Sequence, residues 1–255
     1  MIQPTTLERL RSFRLQGFID ALLLQSQSSH YHDLSFEDRL TLLVDAEHTR
    51  RVEKRTDSML KAARLPSSQT LEDVDFSIER GLKKQLILEL VGGGWLKNGS
   101  NLIITGQTGV GKTFLSSVIS RALCQRSISV RFKRSHHWLA EFLLIDERRR
   151  FPQAVAGYRK VPLLVFDEWL RDPISVPEAR LLLDLFDDRY GKLSCMFVSQ
   201  FPVAAWHARL PDPTLADAIL DRIVHNSIRL ELSGDSMRRL KHCSSTQEPN
   251  VASLR

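Results

Sequence analysis

From residue 101 onward the chain alternates short apolar runs with longer amphipathic stretches. Asn101-Leu-Ile-Ile-Thr105, Ile128–Phe132, Val161–Glu168, Leu193–Gln200 and Ser227–Leu232 read as strands. Between them Phe114–Gln125, Ser135–Arg149, Pro177–Tyr190 and Thr214–Asn226 have helical spacing. Strand and helix in turn predict an α/β core with a parallel sheet. Residues 1–65 instead predict a small all-helical domain. Leu7, Leu10 and Phe13 share a helical face, a break falls near Gly17, and Phe18, Leu22 and Leu23 follow. Ser28–His32 reads as a loop. Ser35 with Asp38 resembles a capping box opening a second helix to about Arg64, with Phe36, Leu40, Leu43 and Val44 on one face. Pro66-Ser-Ser-Gln-Thr70 is the best boundary. It predicts a linker over 66–80 and a core over 81–243, with a helix from Gly81 to Leu90 closed by Gly92-Gly-Gly94. Ser236–His242 reads as a short helix, and the polar 244–255 stretch as a disordered tail.

The first strand runs into Gly106-Gln107-Thr108-Gly109-Val110-Gly111-Lys112-Thr113, which fits the phosphate-loop pattern at every fixed position and leads into a helix at Phe114. Glycines let successive backbone N–H groups turn inward around a phosphate, and the helix start adds free donors and a positive dipole end. In such a loop Lys112 reaches the β- and γ-phosphates and the Thr113 hydroxyl ligates Mg²⁺. The implied ligands are therefore ATP and Mg²⁺.

Leu163-Leu-Val-Phe-Asp-Glu168 lies 55 residues beyond Lys112, counted to Asp167. A buried parallel strand delivers its last residues to the sheet edge where ligands bind. There Asp167 would hold Mg²⁺ and Glu168 would polarise the attacking water. Ser199-Gln200 ends the next strand, and Gln200, rather than Ser199, is the expected water-positioning group. Arg222 and Arg238 stand out, but on spacing alone both read as surface salt-bridge arginines.

Charge adds one lead. The chain carries a net charge of +6, which leans towards a polyanionic partner. Residues 131–160 hold eight Lys or Arg against three acids. Arg131, Lys133, Arg134, Arg148, Arg149 and Arg150 are candidate DNA contacts, interleaved with His136, His137 and Trp138, the last more often a core residue. Arg50, Arg51, Lys54 and Arg55 form a second basic ridge, read either as DNA-facing or as a solvated helix face mixed with Glu47, Glu53 and Asp57. Cys124, Cys195 and Cys243 form no C-x-x-C pair, no signal-peptide core is present, and no apolar run of about 20 residues exists, so the cytoplasm is the expected compartment.

The two nucleotide motifs, with Phe186-Asp-Asp-Arg-Tyr190, Val198-Ser-Gln-Phe-Pro-Val-Ala-Ala-Trp206, Leu215-Ala-Asp-Ala-Ile-Leu-Asp-Arg-Ile223 and Gly234-Asp-Ser-Met-Arg238, resemble the IstB-type ATP-binding helper proteins of bacterial insertion sequences. These are AAA+ ATPases related to the DnaC-type helicase loaders. The resemblance spans nearly the whole chain. It implies a helical N-terminal domain, an AAA+ P-loop core, and a C-terminal lid that is reduced or absent. It implies that Arg222 looks like an arginine finger serving a neighbouring subunit's ATP, and Arg238 like a sensor-2 arginine. Gln200 takes the sensor-1 position, where many relatives have Asn. Arg189 matches the Asp-Arg-Tyr pattern without an assigned role. The implied activity is an ATP-dependent ring or spiral on duplex DNA that recruits or stimulates a transposase, with a helicase loader as the alternative. A metabolic P-loop kinase lacks an acceptor motif here, and Glu168 argues against a purely structural use of ATP.

Overall fold

In the computed structural model, residues 2–31, 33–78, 81–147 and 157–237 are described. Arg148, Arg149, Arg150 and Arg238, most of the expected 236–242 helix and the 244–255 tail lie outside them. The chain divides into two compact units, Met1–Ser58 and Met59–Arg255, so the division falls inside a long helix rather than after it.

The first unit contains α1 (Pro4–Ser12), α2 (Gln16–Gln27) and most of α3 (Phe36–Ala63). The break between α1 and α2 falls at 13–15, where Arg14 has φ +60°, and not at Gly17. Gly17 lies in the first turn of α2 because α3 passes close to it. A Cβ there would stand 2.7 Å from the Ala46 carbonyl oxygen. Next to Ala46, the buried Glu47 carboxylate accepts from Gly17 N–H at 2.8 Å and Phe18 N–H at 3.2 Å. These are donors that a helix start leaves without partners, and the carboxylate also complements the positive dipole end. Its proton affinity falls accordingly: burial would raise the pKa, but Arg51 and the two N–H donors outweigh it.

At the start of α3, Ser35 Oγ accepts from Asp38 N–H at 3.1 Å and donates to its carboxylate, closing the expected cap. The apolar face expected on this helix is corrected. Leu43 is buried, but Phe36, Leu40 and Val44 are exposed. The side facing α2 runs instead through Leu43, Ala46, Glu47 and Arg50, at helical spacing, with Arg50 paired to Asp20. The expected Ser28–His32 loop contains a 3₁₀ turn over Ser29–Tyr31.

The second unit adds α4 (Lys84–Gly92), β1 (Asn101–Gly106), α5 (Lys112–Gln125), β2 (Val130–Arg134), α6 (Ser135–Glu147), β3 (Leu163–Asp167), α7 (Val176–Arg189), β4 (Ser194–Ser199), α8 (Pro213–Val224) and β5 (Ser227–Leu232). The five strands run parallel in the order β2-β3-β4-β1-β5. Strand residues alternate between the sheet faces. Ile103, Leu164, Phe166 and Phe197 pack with α6, α7 and α8, while Leu102, Leu163, Val165 and Met196 pack with α4 and α5. The expected linker is no free tether: Val74 is buried, and Leu71 and Phe76 pack on the second of these cores.

Arg189 acquires a role. It is 1% exposed, and its guanidinium donates to the carbonyls of Tyr158, Pro162 and Ser194. It therefore ties the entry ends of β3 and β4 to the end of α7. Two stability losses are expected in chemical denaturation. Gly17→Ala should cost about 1–3 kcal/mol by overpacking. Arg189→Ala should cost about 3 kcal/mol or more, because buried carbonyls lose their donor.

Candidate nucleotide site

The site assembles at the carboxyl edge of the sheet, where β1, β4 and β3 end side by side. Gly106 closes β1 at φ +144°, and a Cβ there would meet the Leu232 carbonyl oxygen of β5 at 2.2 Å. Only glycine allows β1 to turn into the loop while still paired with β5. Gly109, at φ +93°, meets a different neighbour. Its Cβ position lies 2.4 Å from Ser236 Oγ, and its carbonyl accepts from Met237 N–H at 3.0 Å. The Gly234–Met237 stretch thus braces the loop, a contact with no signal in the sequence beyond the family motif. Val110 is buried in the core and Phe114 packs against it, so both anchor the loop and α5.

Lys112 Nζ lies within the loop, donating to Gly106 O at 2.7 Å and Gln107 O at 2.8 Å. Burial pulls its pKa down, partly countered by the Asp167 charge. The Thr113 hydroxyl is 3.1 Å and 3.2 Å from the two Asp167 carboxylate oxygens. Asp167 is 3% exposed, and burial raises its pKa against the hydrogen bond from Thr113. A hydroxyl and a buried carboxylate this close are suited to the oxygen-rich shell of Mg²⁺. The inward-turning glycine loop, the lysine and this oxygen pair fit a Mg²⁺-nucleoside triphosphate.

Glu168 follows in a left-handed conformation at φ +56°, as does Leu170. Its carboxylate lies 2.5 Å from Arg171 Nη1 and 3.6 Å from Arg134 Nε. The backbone carrying it is fixed on several sides. Trp169 N–H donates to Val198 O, and Ser199 Oγ donates to Trp169 O, both at 2.8 Å. Arg209 donates to Leu170 O at 2.7 Å and Arg171 O at 3.1 Å while its guanidinium lies 3.6 Å from the Phe201 ring centre. Arg171 and Arg209 were not singled out from sequence. Arg209 lies 39 residues from Leu170, and no motif marks it. Gln200 reaches the phosphate loop, its Oε1 accepting from Thr108 Oγ1 at 3.0 Å. Ser199 is fully buried and spent on Trp169 and Phe201.

The expected arginine finger lies apart. Arg222 on α8 bonds Asp187 on α7 at 2.6 Å and the Ala218 carbonyl at 3.1 Å. The hydrogen bond to Asp187 holds its guanidinium pKa above the ordinary value. Among the described residues, no bond of Arg222 reaches the phosphate loop of its own chain.

The basic candidates divide. Lys133 is corrected as a free DNA contact: it pairs with Glu141, donates to the Tyr158 hydroxyl and lies 4.4 Å from the Trp138 ring centre. Trp138 itself is fully buried, its indole N–H bonded to Val165 O. Arg131 bonds its neighbour's carbonyl and is partly buried. Arg134 stays over half exposed in its side chain. With Arg64, His137, Thr113 and Asp167 it lines a cleft of about 360 Å³ beside the metal-suited pair. The His136 and His137 rings meet edge-on, their centroids 4.1 Å apart. In the first unit, Arg50 and Arg51 pair with Asp20 and Glu47, while Lys54 and Arg55 are exposed.

The family described as IstB-like ATP binding protein matches residues 8–246. A Sinorhizobium fredii protein named for an insertion sequence and for ATP binding is 36% identical over 94% of this chain and 98% of its own length. The similarly named protein of insertion sequence IS21 in Pseudomonas aeruginosa is 30% identical over 91% and 86%. Among solved structures, DnaI superposes with a TM-score of 0.56 at 20% identity, covering 69% of this chain and 94% of that one. The AMPPCP-bound DnaA of Aquifex aeolicus gives 0.55 at 17% identity, covering 75% and 58%. These likenesses show the P-loop AAA+ fold. Lys112→Ala should weaken binding of a fluorescent ATP analogue by about 10- to 100-fold, the worth of a charge-assisted phosphate contact. The fold should persist by circular dichroism.

Proposed function

Since the chain belongs to the IstB-like ATP binding protein family, we propose that it is a Mg²⁺-dependent ATPase that assembles on duplex DNA and recruits or stimulates a transposase. The observation that carries the reading is the meeting of Thr113, Asp167 and the Thr108–Gln200 pair on one sheet edge. The relatives' association with insertion sequences supports the transposase as partner.

The residues divide the work as follows. The backbone N–H groups of Gly109–Thr113 cradle the phosphates, and Lys112 leaves the loop carbonyls to bond the β- and γ-oxygens. Thr113 and Asp167 would hold Mg²⁺, which would supply positive charge beside the phosphate oxygens. Glu168 orients and deprotonates the attacking water, and Gln200 positions that water while its link to Thr108 reports the state of the phosphate loop. Arg222, steered by Asp187, reaches the γ-phosphate held by a neighbouring copy. Arg238 reads the nucleotide of its own chain. An interface completed in trans is heterologous, so repetition gives a ring or an open spiral. Arg134 and Arg131 contact phosphates with little base specificity and strong salt dependence. Hydrolysis opens the interface and limits the assembly's lifetime. The protein acts in the cytoplasm, on the nucleoid.

A helicase loader is the second reading, favoured by the fold shared with the DnaC helicase loader. It predicts preference for single strands and a helicase partner. Negative-stain electron microscopy with duplex DNA separates the outcomes. ATP should give rings or spirals, Glu168→Gln should make them persist, and Arg222→Ala should abolish them. Monomers under every condition would refute assembly in trans.

A further inference from the structure

Two loops at the sheet edge carry different parts of the hydrolytic machinery. The turn after β3 presents Glu168, and the loop after β4 presents Gln200. One side chain touches both. Arg209, half-buried in the 3₁₀ turn His207–Arg209, donates from Nε to Leu170 O at 2.7 Å and from Nη2 to Arg171 O at 3.1 Å. Its guanidinium also lies 3.6 Å from the centre of the Phe201 ring, and Phe201 is next in sequence to Gln200.

The turn after β3 needs such a restraint. Glu168 and Leu170 both lie at φ +56°, a region that a non-glycine residue keeps only where its surroundings fix it. Trp169 is held through its N–H, which donates to Val198 O, and through its carbonyl, which accepts from Ser199 Oγ. Arg209 holds the next two carbonyls, those of Leu170 and Arg171. Arg171 in turn reaches back to the carboxylate. Its N–H donates to Glu168 O at 3.1 Å and its Nη1 to Glu168 Oε2 at 2.5 Å, while its Nη2 donates to Asp172 at 2.8 Å. Holding the Arg171 carbonyl therefore fixes the base of the arm that steers Glu168. On the other side, Trp206 Nε1 donates to Phe201 O at 3.0 Å, and Arg209 N–H donates to Trp206 O at 3.1 Å. Ring and guanidinium thus belong to one folded loop. Arginine suits the task, because its planar fork can bond two successive carbonyls while its face lies on a ring. The point charge of lysine cannot do both.

On the reading that Glu168 activates the attacking water, we propose that Arg209 is a positioning residue for ATP hydrolysis. It holds the Glu168 turn against the Gln200 loop, so that the water-activating carboxylate and the water-positioning amide keep one fixed relation. It acts through backbone carbonyls and the Phe201 ring rather than on the nucleotide.

Single-turnover hydrolysis by the full chain with Mg²⁺ and duplex DNA, alongside binding of a fluorescent ATP analogue, tests it. Arg209→Ala should slow hydrolysis about 10- to 100-fold, the effect of a misplaced reacting group. Its affinity for the analogue should stay within about twofold of the wild type, because no ground-state phosphate contact is lost. Its circular dichroism should be unchanged. Arg209→Lys should be slowed nearly as far. Guanidinium ion, added below denaturing concentration, should restore part of the rate to Arg209→Ala and none to Glu168→Gln. Phe201→Leu should slow hydrolysis about two- to fivefold, the worth of a cation on a ring. Added to Arg209→Ala it should slow hydrolysis no further, since the ring then has no guanidinium to hold. Arg209→Ala that hydrolyses at the wild-type rate while Glu168→Gln is inactive overturns the assignment of Arg209 and leaves the ATPase reading standing. Glu168→Gln that hydrolyses like the wild type overturns that reading instead. Loss of analogue affinity in step with rate, or additive losses in the double variant, reduces Arg209 to a structural role and overturns the proposal. If Arg209→Ala does not fold, Arg209→Lys and Phe201→Leu carry the test, and wild-type rates in both overturn it.

Discussion

The contact between the Thr113 hydroxyl and the Asp167 carboxylate joins two strands that are not neighbours. Thr113 follows β1 and Asp167 ends β3, with β4 between them. The geometry works because all three strands run parallel and end at one level, so that a loop from β1 can reach across β4. The placement of the glycine loop, of the Thr113 and Asp167 oxygens and of Gln200 depends on that order. Arg189 supports it from the opposite end, joining carbonyls at the entries to β3 and β4.

The chain also invests strain at this edge. Glu168 and Leu170 both sit in the left-handed region, where a non-glycine residue costs roughly 1–3 kcal/mol. Ser199 and Arg209 hold the peptide groups of that segment, so the carboxylate is presented by a turn with fixed rather than wandering backbone. The same contacts bind the turn after β3 to the loop after β4, which carries Gln200. A change felt at one is mechanically available to the other.

The two units solve burial differently. The sheet of the second unit is covered on both faces and keeps its strands dry. The first unit instead satisfies a helix start with a buried carboxylate and leaves its long helix apolar on an outer side. Polar groups fix its internal geometry.

The phosphate loop, the acids after a buried strand, the alternating strand-helix pattern and the Ser35–Asp38 cap were legible because each is a local pattern: a fixed spacing, a strand-length apolar run, a capping pair. Strand boundaries followed within a residue or two for the same reason. What sequence misjudged was non-local. Gly17 looked like a helix break because glycine is a poor helix former, yet it serves the close passage of α3. The face of α3 was misread because its neighbour, not its periodicity, chooses the buried side. Lys133 looked available until Glu141, Tyr158 and Trp138 enclosed it. Arg189 matched a family pattern without a role and Arg209 gave no signal, because their partners are carbonyls, which every residue carries. Sequence alone thus determined the chemistry on offer and the class of fold. Only the tertiary structure decided which polar groups are spent on the protein's own backbone and which remain for a ligand, because that depends on contacts between residues far apart in the chain.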